Sequence, residues 1–172
     1  GMQDLYHITQ MPSAVDAASA LPMIVLLHGY GSNESDLMGL SPFLDKRLIK
    51  IGARAPLPLD FGGNAWFPIE VTDGGINLQL DRVGECLTGI HDLVRALKIQ
   101  YCAAQIFLLG FSQGASMALS AAFFDPDLYD GVAALSGVVI GLGDNGIEVG
   151  YGRLHCLQSP FIPSLCSGQE SF

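Results

Sequence analysis

Four short runs of apolar residues punctuate the chain, at residues 22–27, 48–51, 106–109 and 131–136. Each run is followed directly by a glycine or a histidine, and only the second contains a charged residue. Continuous apolar runs of this length are typical of strands that are covered on both faces of a parallel sheet. The pattern therefore predicts four core strands.

A helical period occupies the middle of the chain, from about residue 78 to residue 97. Apolar residues recur there at three- and four-residue steps, and they are Val83, Leu87, Ile90, Val94 and Leu97. A shorter helix capped by Asn33 or Ser35, and a helix of small residues after residue 114, are also predicted. This alternation of strands and helices predicts an α/β fold with a mostly parallel sheet and flanking helices.

The alternation of predicted strands and helices ends at Gly137. Residues 141–152 are rich in glycine without a clear period, and residues 153–172 combine two cysteines and two prolines with scattered apolar residues. We therefore expect residues 139–172 to form an atypical glycine-rich tail of a single domain that spans residues 1–172.

The run at 106–109 leads directly into Gly110-Phe111-Ser112-Gln113-Gly114, a G-x-S-x-G motif. Between a strand and a helix, this motif is typical of a nucleophile elbow, in which a strained turn presents the serine hydroxyl. Side chains at positions 110 and 114 are expected to collide with the neighbouring strand and helix. An ordinary strand-to-helix loop also accommodates so short a motif, so the pentapeptide alone leaves both interpretations open.

Composition narrows the classes of partner. Hydrophobic residues make up 49% of the 172 residues and charged residues 15%, as in a globular protein with a large core. The net charge of −9 argues against nucleic acid or an anionic membrane as the partner. The four cysteines show no C-x-x-C or metal-like spacing, so we expect reduced thiols and neither a metal nor a cofactor.

Two features that the sequence lacks, a signal peptide and a membrane span, indicate the cellular location of the protein. The N-terminus has no basic region followed by an apolar run, so no signal peptide is expected. The longest uncharged stretch, residues 99–124, is interrupted by glutamines and by the turn at Ser112, which favours a strand and a helix over a membrane span. We therefore predict a cytoplasmic protein.

Five segments together resemble the phospholipase/carboxylesterase family of small α/β-hydrolases, which includes acyl-protein thioesterases. In order, they are LLHGYGSNESDL (26–37), RAP (54–56), AWFP (65–68), GFSQGA (110–115) and ALSG (134–137). The resemblance covers about residues 20–138. It implies an α/β-hydrolase fold that is truncated here at its C-terminus, and it favours the nucleophile elbow at Ser112.

The resemblance also implies roles for individual residues. Ser112 is expected to attack the carbonyl of an ester or thioester. The backbone amides of Gln113 and Tyr30 are expected to form the oxyanion hole. Trp66 and Phe67 are expected to wall the substrate pocket, although an ordinary packed aromatic pair explains them equally well.

The acid and the base are harder to place. In α/β-hydrolases the acid and then the histidine follow the serine, but only one histidine, His155, follows Ser112 here. Either the chain has lost both groups, which we favour, or the tail returns Asp144 or Glu148 with His155 to the serine. His28 lies beside the oxyanion loop, but the family pattern does not make it the base.

Two functions therefore stay open. The first is a small-molecule ester or thioester hydrolase that is impaired in this chain. The second is a catalytically inactive hydrolase-fold protein that binds an acyl ligand or a protein partner. The strand predicted at residues 131–136 has no lysine or proline to guard its apolar edge, so we also expect a homodimer.

Overall fold

The computed structural model describes residues 4–13, 20–135, 138–143, 146–151 and 154–156. Its strands are β1 (His7–Gln10), β2 (Pro22–Leu27), β3 (Ile49–Ala53), β4 (Leu57–Pro58), β5 (Asn64–Ala65), β6 (Ile69–Thr72), β7 (Gly75–Leu78), β8 (Gln105–Phe111), β9 (Gly131–Leu135), β10 (Val138–Gly143), β11 (Gly146–Tyr151) and β12 (Leu154–Cys156). Its helices are α1 (Leu80–Tyr101) and α2 (Gln113–Phe124), and Asp36–Phe43 form a 3₁₀ helix.

The main sheet has the strand order β1-β3-β2-β8-β9-β12 within the described residues. The four central strands are parallel, and the two outer strands, β1 and β12, run antiparallel to their neighbours. This order confirms the predicted α/β fold with a mostly parallel sheet. Parallel neighbours end at the same edge, so the loops after β2 and β8 leave the sheet side by side.

The central strands are buried on both faces, and β2 shows how. Met23, Val25 and Leu27 belong to the core on the side of α1 and α2. Ile24 and Leu26 belong to the core on the other side, beneath the 3₁₀ helix. Because neighbouring side chains of a strand point to opposite faces, a run that is apolar throughout fills both layers. The two α-helices therefore cover one face of the sheet and the 3₁₀ helix covers the other, in agreement with the predicted flanking helices.

The tail departs from the prediction. We expected no strand after Gly137, but β10 and β11 form an antiparallel hairpin, and β12 joins the main sheet beside β9. In that register Leu154 pairs with Leu135, His155 with Ala134 and Cys156 with Ala133. Any extended segment can supply the backbone N–H and C=O groups that a sheet edge needs, so this pairing leaves little trace in the side-chain pattern.

This pairing also corrects the expectation of a bare edge at residues 131–136. Over residues 133–135, β9 has β12 as its neighbour on the side away from β8. Among the described residues, the edge of the sheet on this side is therefore β12, a strand of three residues. Ser136, which the prediction included in the strand, lies outside the described residues.

The sequence pattern also missed some short elements. β1 pairs with β3 at the opposite edge of the sheet, although the sequence pattern predicted no strand before residue 22. β6 and β7 form a separate hairpin before α1. These strands have only four residues each, too few for a period to stand out. Among the helices of the described residues, none combines the length and the apolar character that a membrane span requires.

Candidate active site at the β8–α2 turn

Ser112 occupies the single-residue turn between β8 and α2. Its backbone has φ 55° and ψ −115°, a conformation that residues with a side chain rarely adopt. Its amide donates a hydrogen bond of 2.8 Å to the carbonyl of Leu135 in β9, and its carbonyl accepts one of 3.0 Å from the amide of Ala115. The predicted strained backbone at a strand-to-helix turn is therefore confirmed.

The two glycines of the motif are required by close packing. A Cβ at Gly110 would overlap the carbonyl oxygen of Gly114, in the first turn of α2. A Cβ at Gly114 would overlap the carbonyl oxygen of Leu27, at the end of β2. Both contacts are with backbone atoms, which cannot rotate away. The sequence-based expectation of collisions at these two positions is confirmed, and the start of α2 lies directly against β2.

The two predicted oxyanion donors come from the start of α2 and from the adjacent loop after β2. Gln113 is the first residue of α2, where a backbone N–H has no carbonyl one turn earlier in the helix to bind. Tyr30 lies in the loop after β2. Because Leu27 of β2 pairs with Gly110 of β8, this loop and the Ser112 turn emerge together. The structure thus brings Tyr30, Ser112 and Gln113 to one edge of the sheet, and their catalytic roles stay predictions.

The loop after β2 is held by backbone hydrogen bonds. The amide of Gly31 donates to the carbonyl of Asn64 at 2.9 Å, and the amide of Asn64 donates to the carbonyl of Ser32 at 2.9 Å. The amide of Ser32 also donates to the carbonyl of Gly29 at 3.2 Å. The amide of Tyr30 is not a donor in any of the loop hydrogen bonds of the described residues. A donor in this position is suited to bind a developing negative charge.

Trp66 and Phe67 are buried, with 1% and 4% of their surface exposed. Trp66 lines a cavity of about 740 Å3, together with residues such as Tyr6, Arg54, Arg82 and Cys86. Neither Ser112 nor the two predicted oxyanion donors are among the residues that line this cavity. The burial favours a packed aromatic pair, and the substrate-pocket role of the pair stays a prediction.

The sequence did not predict the exposed aromatic side chains at the Ser112 turn and beside the loop after β2. The exposed fractions are 39% for Tyr30, 76% for Phe61 and 40% for Phe111. The rings of Tyr30 and Phe61 lie 6.3 Å apart, and a Cβ at Gly29 would come within 3.2 Å of the Phe111 ring. For Phe111, the position directly before Ser112 in the motif was the one sequence signal available. Phe61 lies in a turn-rich loop that gave none.

His28 is engaged at both ring nitrogens. Nε2 accepts a hydrogen bond of 3.0 Å from the amide of Ala55, so the ring is neutral and carries its proton on Nδ1. Nδ1 lies 2.7 Å from the carbonyl oxygen of Gly29, to which it donates. Burial lowers the pKa of His28 below its usual value. The imidazole therefore holds two loops together and has no free nitrogen with which to act as a base.

The other candidate acid and base residues lie in the tail. The backbone of His155 lies opposite Ala134, which pairs on its other side with Gly110. At about 4.8 Å per strand, His155 is roughly 10 Å from Gly110 along this row. Its side chain and that of Glu148 in β11 lie outside the described part of the structure, and so does Asp144 as a whole. The acid and base assignments are therefore untested.

A partly buried ion pair between Glu34 and Arg54 stabilises the loop after β2. Both carboxylate oxygens of Glu34 accept hydrogen bonds from the guanidinium of Arg54, at 2.8 and 2.5 Å. The guanidinium also lies 4.2 Å from the centre of the Tyr6 ring. Hydrogen bonding to Arg54 lowers the pKa of Glu34 to about 2. Glu34 is therefore a structural anion that ties this loop to the segment after β3.

No metal centre is apparent in the described part of the chain, where no group of three or more His, Cys, Asp or Glu side chains is placed to hold an ion. The chemistry that the described residues offer is that of a serine hydroxyl, with backbone amides beside it.

The sequence matches the model of the phospholipase/carboxylesterase family over residues 13–170. Solved structures with the same fold include the Bacillus cereus carboxylesterase, with a TM-score of 0.66 and 21% identity over 84% of this chain and 64% of that one. Esterase PE8 has a TM-score of 0.67 and 26% identity over 80% of this chain and 66% of that one.

Acyl-protein thioesterase 2 of Zea mays has a TM-score of 0.52 and 22% identity over 68% of this chain and 50% of that one. At identities this low the likeness shows the fold. The chain spans about half to two thirds of the length of these three structures.

Proposed function

Because the chain belongs to the phospholipase/carboxylesterase family, we propose that it is a serine hydrolase of carboxylic esters or thioesters with Ser112 as the nucleophile. The observation that carries the proposal is the backbone of Ser112, at φ 55° between a core strand and the first turn of α2. Strain of this kind costs about 1–3 kcal/mol and persists mainly where function requires it. The glycines at 110 and 114 support the same interpretation because they permit the close packing around this turn.

In the proposed reaction, Ser112 Oγ attacks the carbonyl carbon of the substrate and its proton passes to a base. The carbonyl oxygen becomes an oxyanion, which accepts hydrogen bonds from the amides of Tyr30 and Gln113. The intermediate collapses to an acyl-serine as the alcohol or thiol leaves with a proton. Water then attacks the acyl-serine by the same route and releases the acid.

The oxyanion donors carry much of the proposed rate enhancement. Removing one such donor costs about 2.7–4 kcal/mol of barrier in serine hydrolases. The N-terminus of α2 adds its dipole at the same point, since Gln113 begins the helix. A loop anchored by hydrogen bonds and the first turn of a helix supply these donors, which limits the reorganisation that the reaction needs.

We further propose that this 172-residue form is impaired, because no histidine side chain among the described residues is hydrogen-bonded to Ser112. His28 is occupied at both nitrogens, and His91 shares a 2.8 Å hydrogen bond with the hydroxyl of Tyr129. His155, with Asp144 or Glu148, is the remaining candidate that lies after Ser112 in the chain order of this fold. Loss of a base leaves residual catalysis from the oxyanion hole and from binding, so a weak rate is expected.

The proposal includes an apolar substrate group at the mouth of the site. Phe111 beside Ser112, Tyr30 in the loop after β2 and Phe61 against Tyr30 expose aromatic surface, which favours an acyl or alcohol group that is itself apolar. Trp66 and Phe67, which the family resemblance suggested as pocket walls, would then lie beneath this aromatic surface and support it.

A cytoplasmic location and a homodimer also belong to the proposal. The bare edge of β9 no longer supports the homodimer, because β12 covers β9 over residues 133–135. The proposed interface therefore moves to the outer edge of β12.

The test is hydrolysis of p-nitrophenyl butyrate by the wild type, by Ser112→Ala and by Ser13→Ala. Ser13 is exposed and distant in sequence, so Ser13→Ala serves as the matched control. We expect weak turnover that Ser112→Ala abolishes and Ser13→Ala retains. Equal rates for all three proteins would refute the hydrolase and favour an inactive fold that binds an acyl ligand or a protein partner.

A further inference from the structure

One short segment, Asn64–Phe67, connects the loop that carries Tyr30 to Gln113 at the start of α2; we name it the bridging segment. On one side it binds the loop after β2. The backbone of Asn64 exchanges hydrogen bonds of 2.9 Å with Gly31 and Ser32. The indole Nε1 of Trp66 donates at 2.7 Å to the carbonyl of His28.

On its other side the bridging segment is held by the side chain of Gln113. Oε1 accepts a hydrogen bond of 2.8 Å from the amide of Trp66, and Nε2 donates one of 2.8 Å to the carbonyl of Phe67. Gln113 is 95% buried, and both halves of its amide are used. A carboxylate cannot donate and an apolar side chain can do neither, so among side chains of this length only glutamine satisfies both backbone groups.

The bridging segment is itself anchored from α1 and through His28. Cys86 Sγ lies 2.6 Å from the carbonyl of Trp66, which it contacts as a donor. Burial raises the pKa of this thiol to about 12, so it keeps its proton. The backbone carbonyl of His28 accepts the hydrogen bond from the Trp66 indole, and the His28 ring is itself held by a hydrogen bond from the amide of Ala55. The segment therefore has little freedom to move independently of its neighbours.

We propose that the Gln113 side chain is a positioning residue for the oxyanion hole. Its backbone amide is one proposed donor, and its side chain sets the position of the other through the bridging segment and the loop that carries Tyr30. This inference rests on the proposed function. Donors of an oxyanion hole must lie about 3 Å from the same oxygen, and displacement by 1 Å costs about a hundredfold in rate. A buried connection between this loop and the start of α2 meets that requirement.

A purely structural role for the same side chain predicts a different outcome. It predicts that stability falls and that turnover falls only as far as the folded fraction does. A positioning role predicts that kcat falls while the protein stays folded and KM changes little. It also predicts that the loop after β2 loosens, although the hydrogen bonds of the Gln113 side chain go to Trp66 and Phe67 and not to that loop.

The experiment compares Gln113→Met with Met117→Ala. Met117 is fully buried in the same helix and belongs to the same core cluster as Trp66 and Phe67, so its truncation lowers stability but removes none of the hydrogen bonds of the network. Hydrolysis of p-nitrophenyl butyrate is measured at a temperature where circular dichroism shows each variant to be folded. We expect kcat to fall tenfold to a hundredfold in Gln113→Met with KM within about twofold, and to change less than twofold in Met117→Ala.

Amide hydrogen exchange gives a second readout that needs no activity. We expect the amides of Gly31 and Ser32 to exchange at least tenfold faster in Gln113→Met than in the wild type, and at the wild-type rate in Met117→Ala. Unchanged exchange in Gln113→Met overturns the proposal, even if the wild type proves to be no hydrolase. Equal kcat losses in the two variants overturn it as well.

A further variant covers the case in which Gln113→Met does not fold. Trp66→Phe keeps an aromatic ring in the core but removes the N–H that donates to His28. We expect the same acceleration of exchange at Gly31 and Ser32. Wild-type exchange in Trp66→Phe would show that the bridging segment does not position this loop.

Discussion

Gly114 lies against Leu27 so closely that no Cβ fits between the first turn of α2 and the end of β2. A side chain at 114 would overlap the carbonyl oxygen of Leu27 and come within 2.5 Å of that of His28. The helix that follows Ser112 is thereby packed directly onto the strand that leads to Tyr30. The same contact brings the two loops of the proposed site together.

Replacement of Gly114 by alanine should therefore be severely destabilising, by about 3 kcal/mol or more, because backbone atoms of β2 or α2 must move. The matched control is Gly84→Ala on α1, where an added Cβ meets nothing within 4 Å. In an open helical position that substitution should stabilise the protein by about 0.5–1 kcal/mol. Urea denaturation of the two variants checks the contrast, and similar stabilities would contradict it.

The strained backbone of Ser112 predicts an order of stability among its variants. At φ 55° a glycine avoids the cost that any Cβ incurs. Ser112→Gly should therefore be more stable than Ser112→Ala by about 1 kcal/mol, and neither should hydrolyse ester. Thermal unfolding measures the difference. If Ser112→Ala were the more stable protein, the turn would carry no strain at this residue.

The Glu34–Arg54 pair predicts a pH dependence of stability. Hydrogen bonding to Arg54 lowers the pKa of Glu34 from 4.5 to about 2 in the folded protein. The stabilisation is therefore fully present above about pH 4.5 and is lost as the pH falls towards 2. With allowance for solvent screening at this partly exposed pair, we expect about 1 kcal/mol.

This dependence can be measured by urea denaturation of the wild type and Glu34→Gln between pH 7 and pH 2. The wild type should be the more stable protein at pH 7, and the difference should vanish near pH 2. Asp81→Asn provides the control, since Asp81 is exposed in the first turn of α1, away from this pair. A constant difference between wild type and Glu34→Gln across this range would exclude the pair as its source.

His155→Ala tests whether the tail supplies a base. We expect the weak esterase rate to persist in this variant, because the backbone of His155 lies two strands away from Gly110. His7→Ala, at the opposite edge of the sheet in β1, is the control. A wild-type turnover near ten per second that disappears only in His155→Ala would show that the tail completes the site.

The proposed homodimer can be tested by sedimentation velocity at micromolar concentration. We expect a dimer that Leu154→Lys dissociates, since lysine on an edge strand opposes pairing with another chain. Circular dichroism should show that the variant stays folded. A wild-type monomer would mean that β12 is sufficient to close this side of the sheet.

Much of the central architecture was determined by the sequence. The apolar runs of β2 and β8 predicted buried parallel strands, because only a sheet covered on both faces accepts apolar side chains at every position. The three- and four-residue spacing in α1 predicted a helix with one buried face. Glycines on both sides of Ser112 predicted a crowded turn, since backbone atoms can approach that closely only where a side chain is absent.

Only the tertiary structure decided the remaining relationships. The pairing of β12 with β9 depends on backbone groups that every residue carries, so no pattern of side chains announces it. The hydrogen bonds of His28 and of the Gln113 side chain join residues that are far apart in the chain. Their partners are backbone amides and carbonyls of Ala55, Trp66 and Phe67. A sequence shows which side chains can donate or accept, but folding alone determines which backbone groups come within 3 Å of them.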